Sequence, residues 1–190
     1  MMNSRPQRMI LFLDVATRTG WCAGRPGETP EFGSKRLAPE EAPPVAIVAH
    51  SQIFIRELIE TYRPNVIIAE SPVYSGGMKG KTNYKTTRLL QCLPWTMAAT
   101  AYHEKVFDYR EMSQAAIRKF VLGRKPTTGK AKTEVMQAVR ALGFDPEDDN
   151  ASDALAGWLF ACGEIAPDVN PAHTTPLFSQ SQEATTGDLF

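Results

Sequence analysis

Cysteine is scarce: Cys22, Cys92 and Cys162 are an odd number at wide spacing with no CxxC pair. That argues against both a disulfide framework and a zinc site, and a reducing cytoplasm is the expected compartment. Long apolar runs are missing too, since no uncharged stretch approaches the ~18 residues of a membrane span. The basic start, Met1 to Arg8, is followed by only five apolar residues before Asp14, which is too short for a secretory signal. His50, His103 and His173 share no metal-ligand spacing and read as surface residues. No internal repeat is visible.

Net charge is likewise absent, because 21 Lys/Arg balance 21 Asp/Glu over 190 residues. The balance hides a strong segregation. Residues 76–132 carry twelve Lys/Arg against Glu104, Asp108 and Glu111, whereas residues 133–190 carry one Arg against ten acids. Such a chain can offer one positive surface to a polyanion at near-neutral pI; equally, the two segments can form solvated faces that attract each other.

A 43% hydrophobic content is enough to bury the core of one domain. We assign it to residues 1–166, followed by a polar Pro/Thr/Ser/Gln-rich tail, 167–190, expected to be disordered. Met9–Leu13 reads as a buried strand ending at Asp14. Thr19–Ala23 and Glu31–Leu37 complete a meander around the turn-rich 24–30. Pro43-Pro44 opens a helix to Tyr62, its inner side carrying Ile47, Ser51, Phe54, Ile55, Leu58, Ile59 and Tyr62. Val66–Ala69 is a second buried strand, ending at Glu70. A Gly/Lys-rich loop (71–83) precedes a helix through Leu89, Leu90, Leu93, Met97 and Ala101. Lys105–Tyr109 reads as a strand, Ser113 as the cap of the next helix, and 123–129 as a basic loop. Lys130–Leu142 and Ala151–Cys162 read as the last two helices. The order βββ-α-β-α-β-ααα predicts an α/β layer with a mixed sheet.

Two of its strands end in a carboxylate. As parallel neighbours they would bring Asp14 and Glu70 to the end of the sheet where ligands of open α/β folds bind. Asp153, in the final helix, is a third acid beside apolar sequence. Clustered acids repel unless neutralised, and Mg²⁺ does this with a few oxygen ligands. Two such ions about 4 Å apart can activate a water and stabilise a leaving oxygen in phosphodiester cleavage. Singly, each acid has a plainer reading. Asp14 can begin a turn, and Asp153 can be a first-turn acid behind an Asn150 N-cap. Glu70, at the end of a fully apolar strand, is harder to explain that way.

Four segments together resemble the RuvC-like resolvases of the RNase H fold. They are Leu13-Asp14-Val-Ala-Thr-Arg-Thr-Gly20-Trp21; Ile67-Ile-Ala-Glu70-Ser-Pro72; Ile117-Arg-Lys-Phe-Val-Leu-Gly123 with Gly129-Lys-Ala-Lys132-Thr-Glu-Val135; and Asp153-Ala-Leu-Ala156. The resemblance implies an RNase H-like mixed five-stranded sheet flanked by helices on both faces. It also implies a homodimeric endonuclease that cuts branched double-stranded DNA such as Holliday junctions, leaving 5′-phosphate and 3′-hydroxyl ends. Two Mg²⁺ ions, with Mn²⁺ as a substitute, would be held by Asp14, Glu70 and Asp153, with Lys132 near the scissile phosphate. The family commonly has a further acid where this chain has Asn150. Either Asn150 ligates through its carbonyl oxygen, or Asp149, one helical step away, takes its place. Flaps, RNA–DNA hybrids and non-catalytic binding of branched DNA are the alternatives.

Ser75–Thr82 lies one residue short of a phosphate-binding P-loop, with Ser75 where glycine is required. The better reading is a glycine loop carrying Lys79 and Lys81, with Lys85 and Arg88 following, beside the path of DNA. Tyr74 and Tyr84 can stack on an unpaired base or simply pack the loop. Arg118, Lys119, Arg124, Lys125, Lys130 and Lys132 form a second basic cluster, so binding should depend sharply on salt. The terminal Gly187-Asp-Leu-Phe190 distantly resembles peptides that bind sliding clamps, without their glutamine.

Overall fold

The computed structural model describes residues 8–71 and 84–169. Its strands are β1 (Ile10–Asp14), β2 (Arg18–Gly24), β3 (Glu31–Arg36), β4 (Val66–Glu70) and β5 (Tyr109–Met112). Its helices are α1 (Pro44–Tyr62), α2 (Tyr84–His103), α3 (Gln114–Leu122), α4 (Ala131–Ala141) and α5 (Asp149–Ile165). The sheet runs β3-β2-β1-β4-β5. β1, β2 and β3 form the expected antiparallel meander, while β4 lies parallel to both β1 and β5.

Successive side chains of a strand point to opposite faces, and that alternation sorts the core. Leu11, Leu13, Ile67 and Ala69 pack with the inner sides of α1 and α2. Ile10, Phe12, Val66 and Ile68 pack with α3, α4 and α5. Helices therefore cover both faces, in the RNase H-like arrangement. The α1 boundaries follow the sequence: Pro44 occupies the first turn, and Arg63, with φ 47°, turns the chain out before Pro64. On the other face α5 is almost wholly buried. Gly157 allows this, because a Cβ there would lie 2.1 Å from the Phe12 ring.

Two expectations are corrected. The strand expected at Lys105–Tyr109 forms at Tyr109–Met112 instead. Lys105 takes φ 68°, the Val106 N–H donates to the Ala101 carbonyl at 2.9 Å, and the Lys105 N–H donates to that of Tyr102 at 3.1 Å. This is a Schellman closure, in which buried Val106 seals the end of α2 rather than joining the sheet. The cap of α5 is Asp148, not Asn150; its carboxylate accepts the Ala151 N–H at 2.9 Å. Asp149 thus opens the helix and Asp153 sits one turn further along. Ser113 does occupy the N-cap of α3, but its side chain makes no capping bond. The glycine loop with Tyr74, Lys79 and Lys81, and all of the tail beyond residue 169, lie outside the described residues. Among the described residues no helix is long and apolar enough to cross a membrane.

Candidate active site

Continuing the alternation by one residue puts Asp14 in the row of Ile10 and Phe12, and Glu70 in the row of Val66 and Ile68. Leu13 pairs with Ala69, so the two acids end adjacent parallel strands on the face covered by α3 to α5. Gly20 brings the third element close. It pairs with Asp14 across the β1–β2 ladder, and a Cβ on it would lie 2.0 Å from the Asn150 carbonyl oxygen. Only glycine lets the first turn of α5 rest on β2 there. That contact carries Asp149 and buried Asp153 to the end of β1.

The electrostatics show how tightly these groups are gathered. Burial, reinforced by the charges of Glu70 and Asp153, pushes the Asp14 carboxyl up to about 8. Burial, and then the charge of Asp153, pushes Glu70 up to about 7 against a lowering hydrogen bond from Gln114. Asp153 is also raised by burial, with Arg118 and Lys132 opposing. Lys132 Nζ donates to Asp149 Oδ2. Burial works against its ammonium, but the bond to Asp149 and the fields of Asp149, Asp153 and Asp14 hold it above the usual lysine range. Four acids thus share one surface with two cations, Lys132 and Arg118.

The RuvC-like motif residues therefore meet in space, and two further residues join them. Gln114, at the start of α3, donates from Nε2 to Glu70 Oε1 at 2.5 Å. Its sequence signal was slight: a glutamine two positions past the residue that pairs with Glu70 across β4–β5. Arg118 was expected among the phosphate contacts. Instead its side chain is only 19% exposed and lies 4.0 Å from Asp153. The remaining basic residues stay outside. Lys85, Arg88, Lys119, Lys125 and Lys130 are exposed, while Arg124 is held at 3.2 Å by Glu134. Asn150 donates its amide to Asp149 at 3.4 Å.

Carboxylate oxygens that repel one another suit a hard divalent cation. Among the described residues no three acidic, histidine or cysteine side chains converge to enclose one. Magnesium does not need such a cage, because one or two carboxylates with waters and phosphate oxygens suffice. The donor set therefore fits the ion.

No protein-family model and no curated protein matches the chain. Solved structures do. Thermus thermophilus RuvC in complex with a Holliday junction substrate matches with a TM-score of 0.60 at 13% identity, over 78% of this chain and 89% of that one. The yeast mitochondrial Holliday junction resolvase Ydc2 matches with a TM-score of 0.59 at 17% identity, over 88% and 84%. A further T. thermophilus RuvC structure matches at 0.55 and 14% identity, over 78% and 89%. The chain has a RuvC-like fold. Within that RuvC-like fold the site lies where β1, β4 and β5 end and α3 and α5 begin, which is the end of the sheet predicted from the two strand-terminal acids.

Proposed function

We propose that the chain is a divalent-cation-dependent endonuclease that cuts branched DNA such as four-way junctions. The observation that carries this reading is the gathering of Asp14, Glu70 and Asp153, from three elements, on one sheet face with too little positive charge to balance them. Asp14, Glu70 and Asp153 would hold Mg²⁺, or Mn²⁺ in its place. Asp149 rather than Asn150 would supply the fourth donor, because Asp149 brings a charged carboxylate beside Asp14 and Asp153 whereas the Asn150 amide is turned to donate to Asp149. When bound, such ions activate water and stabilise a leaving oxygen.

The chain's own groups do the rest. Gln114 orients the Glu70 carboxylate. Lys132, once released from Asp149, would meet the scissile phosphate, and Arg118 offsets the charge of Asp153 and Glu70. Lys85, Arg88, Lys119, Lys125 and Lys130 would meet phosphates of the DNA arms. Attack of water on phosphorus with departure of the 3′ oxygen would leave 5′-phosphate and 3′-hydroxyl ends. Exposed Tyr84, at the start of α2, is available to stack on an unpaired base.

A four-way junction needs two nicks related by a two-fold axis, which calls for two sites. We assign the second to a second copy of this chain, docked on the α2 side, where Trp95, Tyr102 and Phe107 are exposed around Ala98 and Ala99. The cytoplasmic location and clamp contact through Asp188–Phe190 are further readings of the sequence.

A labelled four-way junction and a matched linear duplex, each with Mg²⁺ or EDTA, test the function. Paired Mg²⁺-dependent nicks confined to the junction are expected. A junction-specific shift without nicks under any divalent metal would make the protein a binder, and cleavage of flaps or hybrid alone would move the substrate class.

A further inference from the structure

The acidic turn of α5 is held from outside the carboxylate cluster. Asp148, the N-cap, spends one oxygen on the helix, accepting the Ala151 N–H at 2.9 Å. Its other oxygen accepts the Ser34 hydroxyl at 2.6 Å. Ser34 in turn accepts from Arg18 Nη1 at 3.0 Å, and the same guanidinium nitrogen lies 3.5 Å from Asp148 Oδ2. Three residues from β2, β3 and the α5 cap form a triangle, and Glu147 joins its edge by accepting the Ser34 N–H at 3.4 Å. Beside it, the Asn150 carbonyl presses onto Gly20.

A capping bond alone would satisfy the helix. The second oxygen of Asp148 is turned to the meander, so the cap fixes both the start of the helix and its position over the sheet. Asp149 and Asp153 follow in the next turn, and their distance from Asp14 is set by where that turn sits. As the acids ionise, their repulsion pushes the acidic turn of α5 away from β1, and the Asp148 tether opposes it.

We propose that Arg18, Ser34 and Asp148 are positioning residues that clamp the acidic turn of α5 over the end of β1, so that Asp149 and Asp153 face Asp14. This rests on the nuclease reading above. The clamp is electrostatic and hydrogen-bonded rather than apolar, and Arg18 is 41% exposed, so it can be removed without opening the core.

The test is calorimetric titration of Mn²⁺ into the full chain without DNA, alongside thermal unfolding and amide exchange in EDTA. Ser34→Ala and Arg18→Gln are each expected to weaken Mn²⁺ binding about tenfold, as loss of a group that orients a metal ligand does. Unfolding midpoints should stay within about 2 °C of the parent, and Ser34→Thr, which keeps the hydroxyl, should bind as the parent does. Unchanged Mn²⁺ affinity in both variants would overturn the proposal. So would a loss of affinity that follows a fall in melting temperature, since that marks a merely structural role. If the parent itself takes up no Mn²⁺, the nuclease reading fails, and amide exchange over residues 150–154 decides the clamp. Faster exchange in Ser34→Ala supports it, and unchanged protection overturns it.

Discussion

The two faces of the sheet are built from the same apolar strands and put to different uses. On the α3–α5 face the strand rows end in Asp14 and Glu70, and α5 buries eleven of its seventeen residues, Asp153 among them. On the α1–α2 face the rows end in Leu13 and Ala69. There α2 buries only six of its twenty residues and leaves Trp95 74% and Tyr102 62% exposed. One face spends its burial on holding charged groups in place; the other keeps an apolar flank uncovered. The teaching is that one-residue alternation in β1 and β4 decides which face carries the chemistry.

The largest effect should come from breaking the charged face at its centre. Asp14→Asn is expected to reduce cleavage at least about 100-fold, beyond what loss of a supporting group costs. Junction affinity in EDTA should hold or rise, because a negative charge near phosphate is gone. Parallel nicking and gel-shift assays read both, and wild-type cleavage by the variant would remove Asp14 from the site.

Next is the apolar face. Trp95→Ala with Tyr102→Ala should weaken self-association by about 3 kcal/mol, the scale of two interface anchors. Sedimentation would show monomers at concentrations where the parent is dimeric, with Mn²⁺ affinity of each copy unchanged. A monomeric parent would end the two-copy proposal.

The basic residues sharpen the comparison further. Lys125→Ala with Lys130→Ala should lower the slope of log affinity against log salt by about 2, roughly one per phosphate contact. Arg124→Ala should barely move the slope, because Glu134 already neutralises Arg124 at 3.2 Å. Equal slopes for the two variants would contradict that division.

The remaining comparison concerns pH. Asp14 and Glu70 titrate near 8 and 7 when folded, against ordinary values of 3.8 and 4.5. Groups raised on folding stabilise the protein fully below their unfolded values, and the contribution is lost as pH rises through the folded ones. In EDTA, lowering pH from 8 to 5 should therefore raise the melting temperature by several degrees. Asp14→Asn should flatten the trend, and scanning calorimetry across that range checks it. Adding Mg²⁺ should stabilise more at pH 8 than at pH 5.

Much of this was readable before any coordinates. An apolar run of five before Asp14 and of four before Glu70 reads as a buried strand meeting solvent at its end, so β1, β4 and the acids that end them were legible. The inner side of α1 was legible but for Tyr62, which is only partly buried at the helix end, since 3.6-residue spacing maps directly onto a buried stripe. The β5 reading failed because Val106 is equally apolar in a strand or in a Schellman seal, and only the φ of Lys105 distinguishes them. The α5 cap was misplaced because Asp148, Asp149 and Asn150 are all good caps. Ser34, in a different strand, decides among them by hydrogen-bonding Asp148.

Local pattern by itself determined which residues are buried, which strands end in acids and which segment carries the basic charge, because these depend on neighbours a few positions away. Tertiary structure alone decided that Arg118 turns inward to Asp153, that Gln114 holds Glu70, and that Gly20 yields its space to Asn150. Each of those contacts joins elements whose separation along the chain carries no periodic signal. Their partners are set by how α3 and α5 settle on the sheet, and packing of whole faces fixes that position rather than any short run of residues.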